Sequence, residues 1–410
     1  MTRVSATSPF PSEHTRPMTP IGAARRPAQA VIVGTAGDPR VAAYQAARAR
    51  AGLAAAALLD YRDLIADPEG TAAHLRAPAR VRIESPGRDP QVLAGLLAHG
   101  IATSARLGLH HWSRDQIERQ AGERGRLLPP RQLYFGMARV LSALAAWAGD
   151  SGTPPAIALV PDIATILRAF DKTACHRHLA AAGVPLPRTL PSPVVSFEAL
   201  IAAMRAARLA RVFVKLQHGS AAAGTVALAT SRLGMSAVTT VEQVPAGNGI
   251  RLYNTRSLHR HTSPAEIARL VDALAPHGLH VEAWIPKASI DGRIIDLRVV
   301  TVAGEPVFRV LRKSRHPITN LHLGGERADA AGLLARMSAR AVAAIDDTCR
   351  AVTHVMPGAL QLGIDIAVAT GLARHYVLEV NVFGDLLKGV TDPRGLDPYD
   401  VQLRATEQAA

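Results

Sequence analysis

The sequence predicts an α/β chain of mixed α+β character, with a parallel N-terminal α/β domain ahead of a longer region of paired strands and helices. Three observations predict it. Ala30-Val-Ile-Val-Gly34-Thr-Ala-Gly37 reads as a buried strand ending in a glycine turn, followed by a helix from Asp38 and Pro39 to about Ala51 and a strand over Leu53 to Leu59. Gly149-Asp-Ser-Gly-Thr-Pro-Pro155 reads as a linker that closes off residues 30–150. Gly363-Ile-Asp365-Ile-Ala-Val and Tyr376-Val-Leu-Glu379-Val-Asn381 read as two apolar strands carrying three oxygen donors.

In chain order, the first 29 residues are rich in Pro, Ser, Thr and Arg, lack a continuous apolar stretch and read as a disordered leader. Gly34-x-x-Gly37 is too short for a dinucleotide fingerprint and is taken as a tight turn, a candidate lining for a substrate cleft. Val81-Arg-Ile-Glu84 continues the sheet, and helical stretches follow around a polar insertion, Trp112 to Leu128, with no legible role. Beyond the linker, Asp171 to Gly183 reads as a helix with an acidic start and a glycine stop, and Val184-Pro-Leu-Pro187 forces an extended exit. Ser196 caps a helix to about Leu209, and Val212-Phe-Val-Lys215-Leu216 forms a strand before the small-residue loop His218-Gly219-Ser220-Ala-Ala-Ala-Gly224. Leu279-His-Val-Glu282-Ala-Trp284-Ile285-Pro-Lys287 is a further strand; Asp291-Gly292 turns the chain into Asp296-Leu-Arg298-Val-Val-Thr-Val. After a hairpin turn at Ala303-Gly304-Glu305, Arg309 lies on the partner strand and Asn320 precedes Leu-His-Leu-Gly-Gly325. A helix from about Ala328 to Val355 returns the chain to the Asp365 and Glu379 strands.

Composition bounds the class. At 410 residues, 48% hydrophobic and 4% aromatic, the chain can build two or three domains with Ala/Leu/Val cores, and no apolar run approaches the roughly 20 residues of a membrane helix. Two lone cysteines, Cys175 and Cys349, give neither a disulfide framework nor metal spacing and fit a reducing cytoplasm. A formal charge of +14 invites nucleic acid, but the arginines are spread over helical segments with no long basic run and no aromatic interleaving, which argues against it. Only five of the 47 basic residues are lysines, Lys172, Lys215, Lys287, Lys313 and Lys388, all in the part of the chain that holds the acids. In an arginine-rich chain a lysine can mark a need for a compact point charge.

Side chains two apart on a strand share a face, so Glu379 and Asn381 point one way and Leu378 and Val380 the other, with Asp365 joining from the neighbouring strand. Two carboxylates and an amide oxygen suit Mg²⁺ completed by substrate phosphates, or else are strand-end residues facing solvent. Lys215 before a small-residue loop suits a polyphosphate, or else begins an ordinary hairpin.

The order of these residues resembles the ATP-grasp superfamily over residues 171–390: Val-Lys215 with its loop, Glu282-x-x-Ile285-x-Lys287, Asp296-Leu-Arg298, Arg309, Asn320 before Gly-Gly, Asp365, and Leu-Glu379-Val-Asn381. It is most similar to the glutathione synthetase and ribosomal-protein glutamate ligase branch. The resemblance implies a pre-ATP-grasp-like domain over 30–150, an ATP-grasp small lobe with lid loop over 160–285, and a large lobe with the metal site over 286–410. It implies ATP bound through Lys172, Lys215, Lys287 and Asp296, adenine against the strand bearing Glu282, Trp284 and Ile285, and a lid loop from Gly219 and Ser220 to Gly224. Asp365, Glu379 and Asn381 would hold two Mg²⁺ ions, with Mn²⁺ an acceptable substitute. Arg298 and Arg309 would stabilise the transferring phosphoryl group, and Asn320 would approach a metal or the intermediate.

The implied reaction is ATP-dependent ligation of a small-molecule or peptide carboxylate to an amine through an acyl phosphate, with no membrane partner and with a homo-oligomer left open. A kinase using the same site without ligation, and a non-catalytic nucleotide- or polyanion-binding protein, are the alternatives. The chain departs from the branch in three places. The lid is poor in glycine; Asn320-Leu-His-Leu lacks an arginine before the glycine pair; and Val-Phe383-Gly-Asp385 replaces a small-residue and proline turn, which points to a different second substrate.

Overall fold

The computed structural model describes residues 29–73, 75, 79–149, 157–191, 193–247, 249–320, 323–383 and 387–408. The leader up to residue 28, residues 150–155 of the linker, Leu321 and His322, and Gly384 to Leu386 lie outside them.

The N-terminal part runs β1 (Gln29–Gly34), α1 (Pro39–Arg50), β2 (Ala57–Asp60), α2 (Tyr61–Ala66), α3 (Pro68–Ala73), β3 (Ala79–Ile83), α4 (Pro90–Arg106), α5 (Arg114–Gln120), α6 (Pro130–Gly149) and β4 (Ile157–Val160). Its four strands are parallel in the order β2-β1-β3-β4, as the βαβ start predicts. The second strand is shorter than its apolar run, because Leu53 to Ala56 lie outside the ladder and register begins at Ala57. Asp38 caps α1 by accepting from the Arg40 amide, which fixes the βα turn predicted at Gly34 to Gly37. Helices α4 and α6 meet at their backbones: a Cβ on Gly136 would stand 1.7 Å from the Leu96 carbonyl oxygen.

The chain continues through α7 (Ile163–Phe170), α8 (Lys172–Ala181), α9 (Phe197–Ala206), β5 (Arg211–Leu216), β6 (Val226–Ser231), β7 (Gly234–Ala246), β8 (Gly249–His261), α10 (Pro264–Leu274) and β9 (Leu279–Ala283). These five strands form an antiparallel sheet ordered β8-β7-β6-β5-β9, under which α9 and α10 bury Leu200, Met204, Ile267 and Leu270. The predicted caps Asp171 and Ser196 both hold, each accepting backbone N–H groups of the first helical turn.

The last part carries β10 (Ser289–Ile290), β11 (Arg293–Val302), β12 (Glu305–Ser314), β13 (Glu326–Asp329), α11 (Ala331–Leu334), α12 (Ala339–Val355), β14 (Gln361–Val368), β15 (His375–Asn381) and α13 (Pro398–Gln408). The sheet runs β13-β12-β11-β14-β15 with β10 beside β11. The single helix expected over 328–355 is therefore three elements. Residues 326–329 pair with β12, and Ser338 starts α12 afresh by accepting from the Ala341 amide.

One apolar cluster joins the N-terminal sheet, α4, α6, α7 and α8 to the last sheet, through residues such as Val81, Leu141, Ile166, Leu179, Leu297 and Ile364. The middle sheet has its own cluster, which joins Leu190, Leu200, Val214 and Ile267 with Leu127. The polar insertion proves to be a strap between the two. Trp112 is buried against Leu97, its amide donates to the Gln132 side chain at 2.7 Å, and the Arg126 guanidinium lies between the Trp112 and Tyr253 rings. The Leu127 amide donates to the Leu252 carbonyl, and the Asn254 amide to that of Gly125. Among the described residues no helix is long and apolar enough to cross a membrane.

Candidate active site

A cavity of about 620 Å³ opens between the two antiparallel sheets and reaches the N-terminal domain at Asp38, Arg40, Ser85 and Arg88. The Gly34–Gly37 turn expected to line a cleft does not contribute; the lining begins one residue later, at the cap Asp38.

One face of the last sheet forms its floor. Arg298 on β11, Asp365 on β14 and Glu379 on β15 are direct cross-strand neighbours, and Asn381 lies opposite Gly363. Arg298 Nε stands 2.6 Å from Asp365 Oδ1. On β12, Arg312 lies opposite Asp296; its Nε is 2.6 Å from Asp296 Oδ1 and its Nη2 3.1 Å from Asp365 Oδ1. Leu378 was expected to point away from Glu379, yet it lines the cavity. Asp365 pairs with Glu379 and Ile366 with Val377, which leaves Leu378 as the extra residue of a β-bulge whose carbonyl accepts from Lys215 Nζ at 3.4 Å.

Three lysines stand over this floor. Lys172, at the start of α8, donates to Glu379 Oε1 at 2.8 Å and to the Gly219 carbonyl at 2.6 Å. Lys215, on β5, pairs with Glu282 on β9 at 2.5 Å. Lys287 donates to Thr319 Oγ1 at 2.6 Å and lies 3.4 Å from Asp296 Oδ2, to which the Thr319 hydroxyl also donates. Gly219 and Ser220 line the roof, in a loop that joins two antiparallel strands and so has hairpin topology. Its Ala221 and Ala222 adopt φ of 52° and 59°, the left-handed region where glycine is cheaper by roughly 1–2 kcal/mol per residue.

The electrostatics follow from burial and pairing. Burial would raise Asp296, but Arg312 and Lys287 outweigh it and hold the carboxyl below its ordinary value. Burial opposes Glu379 likewise, and Lys172 and Lys215 bring it down. Glu282 falls to about 2 against its burial, chiefly through Lys215. Lys287 is pushed down by burial, which Asp296 only partly offsets. Asp365 goes up: burial leads, Asp296 and Glu379 add to it, and Arg298 and Arg312 do not cancel it. A carboxylate raised this way gains from a cation beside it.

The chemistry of the donor set fits Mg²⁺. Asp365, Glu379 and Asn381 line one cavity as hard oxygen donors, and Asn381 Nδ2 is spent on the Gly363 carbonyl at 3.3 Å, which leaves its oxygen for a ligand. Among the described residues no group of three or more His, Cys, Asp or Glu side chains is placed to hold a metal ion.

Most residues singled out from the sequence converge here. Lys172, Lys215, Gly219, Ser220, Glu282, Ile285, Lys287, Asp296, Arg298, Asn320, Asp365, Glu379 and Asn381 all line the cavity. Three do not. Trp284 turns aside onto Phe213, with ring centroids 5.3 Å apart, and Gly224 sits under Leu216. Arg309 pairs with Val299 on the opposite face of the sheet, where its Nη2 meets Asp346 of α12 at 2.6 Å. The structure therefore sets Arg309 away from the cavity, and Arg312, which the sequence reading did not single out, lines it instead. The cause is a second bulge: register shifts between Val300 and Thr301, so that Val300 faces Phe308 and Thr301 faces Pro306. Counting back from the Ala303-Gly304 turn without it would set Arg298 opposite Arg309; with it, Arg298 faces Val310 and Asp296 faces Arg312.

No family model matches the sequence, and no curated protein matches it. Solved structures do share the fold. The ATP-grasp ligase PsnB, complexed with a minimal precursor, superposes with a TM-score of 0.51 at 14% identity over 93% of this chain and 100% of its own. The D-cycloserine synthetase DcsG gives 0.51 at 15% identity over 92% and 99%. The N5-carboxyaminoimidazole ribonucleotide synthetase purK, as an ADP complex, gives 0.51 at 11% identity over 92% and 77%. The architecture is the mixed α/β fold of ATP-grasp ligases.

Proposed function

We propose that the protein is an ATP-dependent carboxylate–amine ligase. The observation that carries this reading is the sheet face on which Arg298, Arg312, Asp365, Glu379 and Asn381 meet three lysines in one cavity, within a fold shared with ATP-grasp ligases. On this reading Lys172 and Lys215 exchange their carboxylate partners for the phosphates of ATP, and adenine lies along the Glu282 to Ile285 edge near Lys287. Asp365, Glu379 and Asn381 would hold Mg²⁺, whose contribution when bound would be charge neutralisation at the phosphates. Arg298 and Arg312 face the charge that develops as a substrate carboxylate oxygen attacks the γ-phosphorus and ADP leaves. The amine nitrogen then attacks the acyl carbon, phosphate departs, and the nitrogen gives up a proton. No nucleophilic side chain is required, in keeping with a cavity lined by cations and carboxylates.

The finer assignments belong to the same reading. The residue order supports the glutathione synthetase and ribosomal-protein glutamate ligase-like branch. Asn320, which lines the cavity, suits the intermediate. The substrates are a peptide or a small carboxylate with its amine, as the precursor bound to PsnB and the product named for DcsG suggest. Free, buried Cys175 and Cys349 support a reducing, cytoplasmic setting. The test is ADP release with Mg²⁺ against pooled carboxylates, amines and peptides, with mass analysis of the product. Glu379→Gln should remove turnover by at least about 10²-fold; unchanged turnover in that variant overturns the assignment.

A further inference from the structure

We propose that Asp171 is a positioning residue that locks the roof loop after β5 and Lys172 into one register; the inference rests on the reading of the cavity as a triphosphate site. Asp171 does not line the cavity, yet its carboxylate gathers the elements that do. Oδ1 accepts the Thr173 and Ala174 amides at 3.0 Å each, which caps α8, and also accepts Gln217 Nε2 at 2.9 Å. Oδ2 lies 3.6 Å from Nε2 of His218, whose side chain is only 5% exposed. The same two segments are joined again by main chain and side chain: the Lys172 amide donates to the Gln217 carbonyl at 3.0 Å, and Lys172 Nζ to the Gly219 carbonyl at 2.6 Å.

The N-terminal domain completes the joint through α6. Arg131 Nη2 donates to Gln217 Oε1 at 3.2 Å, and the Tyr134 ring lies 4.2 Å from the His218 ring. Arg131 reaches Gln217 across Gly278, where a Cβ would stand 2.3 Å from the guanidinium and where φ is +82°. The Gly278 carbonyl in turn accepts the Gln217 amide at 2.9 Å. One carboxylate thus fixes where the helix that carries Lys172 begins and where the loop that carries Gly219 leaves the sheet. Lys172 needs both anchors to stand over Glu379. Burial works against the Asp171 charge, and the His218, Ala174 and Gln217 contacts more than offset it, so the group remains an ionised acceptor.

The experiment has two independent readouts. In nucleotide-free protein, Asp171→Ala should speed amide exchange both at 173–174 and across 217–223. Asp171→Asn keeps a capping oxygen and should restore 173–174. Gln217→Leu cuts the contact to Asp171 together with that to Arg131 but leaves the Asp171 cap of α8 in place, so it should speed exchange in the loop alone; Arg131→Met, which removes only the Arg131 contact, should speed it less, and this keeps the inference testable if Asp171→Ala fails to fold. In turnover, Asp171→Ala and Gln217→Leu should raise KM for ATP about tenfold with kcat within about twofold, because ground-state phosphate contacts are loosened while transition-state groups stay. Loop exchange unchanged in both variants, or a loss of kcat at constant KM, overturns the role. Absence of ADP release from the unaltered protein would sink the ligase reading while leaving the exchange result to decide the joint.

Discussion

Replacing Arg312 by methionine tests whether the floor of the cavity is a balanced charge array. The guanidinium is buried and contacts Asp296 at 2.6 Å and Asp365 at 3.1 Å, both themselves buried. Removing one partner of a buried ion pair costs about 3–5 kcal/mol, since the remaining charge is left undersolvated. Lys287 and Thr319 still hold Asp296, and Arg298 still holds Asp365, which places the loss near about 3 kcal/mol. For a chain of 410 residues that lowers the melting temperature by roughly 3–4 °C. The pH dependence has a definite sign. Asp296 is held below its ordinary value in the fold, so its contribution is present above the unfolded carboxyl value of about 3.9 and fades as pH falls below it. Without Arg312 its folded value rises and that contribution shrinks, so the gap between the two proteins narrows towards about pH 4. Thermal unfolding followed by circular dichroism across pH supplies the measurement. A variant within about 1 kcal/mol of the parent at neutral pH, or a gap that does not move with pH, would refute the charge array.

Two further perturbations address other parts of the argument. Glu282→Gln leaves Lys215 without its carboxylate; because Glu282 titrates at about 2 rather than 4.5, the parent should hold roughly 3 kcal/mol more stability above the upper value and lose it as pH falls towards the lower, read as urea midpoints against pH, and a pH-independent difference would contradict the pairing. Gly136→Ala sets two effects against each other: helix propensity favours alanine by about 1 kcal/mol, but the new Cβ meets the Leu96 carbonyl and must push α4 from α6, an overpacking cost of about 1–3 kcal/mol or more. Chemical denaturation should show net destabilisation, and a stabilised variant would mean that the helices are free to part.

The parallel domain and the helix caps were legible because their signals are local. Asp38, Asp171 and Ser196 each meet their own first helical turn, and a buried parallel strand such as Val31 to Val33 is a plain apolar run. The strap at 112–128 was opaque for the opposite reason. Its partners, Tyr253 and Leu252, lie over a hundred residues further on, and nothing in a polar segment says which strand it will meet. The three-element stretch at 326–355 was misread because β13 is an edge strand of four residues that its pairing with β12 holds in place, where local propensity says little.

The site shows how far residue types carry without register. Asp365, Glu379 and the cavity-lining lysines could be found as unlike residues in their surroundings, and the pleat alone brought Glu379 and Asn381 together. Choosing between Arg309 and Arg312 was a different problem, because a slip of one residue on a strand moves a side chain from the cavity to the helix behind the sheet. The deciding feature is the bulge opposite Thr301, and Pro306 beside the hairpin turn is its sequence trace, since proline cannot donate to a ladder and sits at edges and bulges. The bulge at Leu378 works the same way on β15, turning a carbonyl towards Lys215 while Glu379 stays opposite Asp365. Both irregularities fall on strands that supply the floor of the cavity, where a regular ladder would have turned Arg312 or the Leu378 carbonyl elsewhere. The two bulges are therefore part of how this chain aims its charges, and a sequence carrying the same residues without them would hold its acids and cations on different faces.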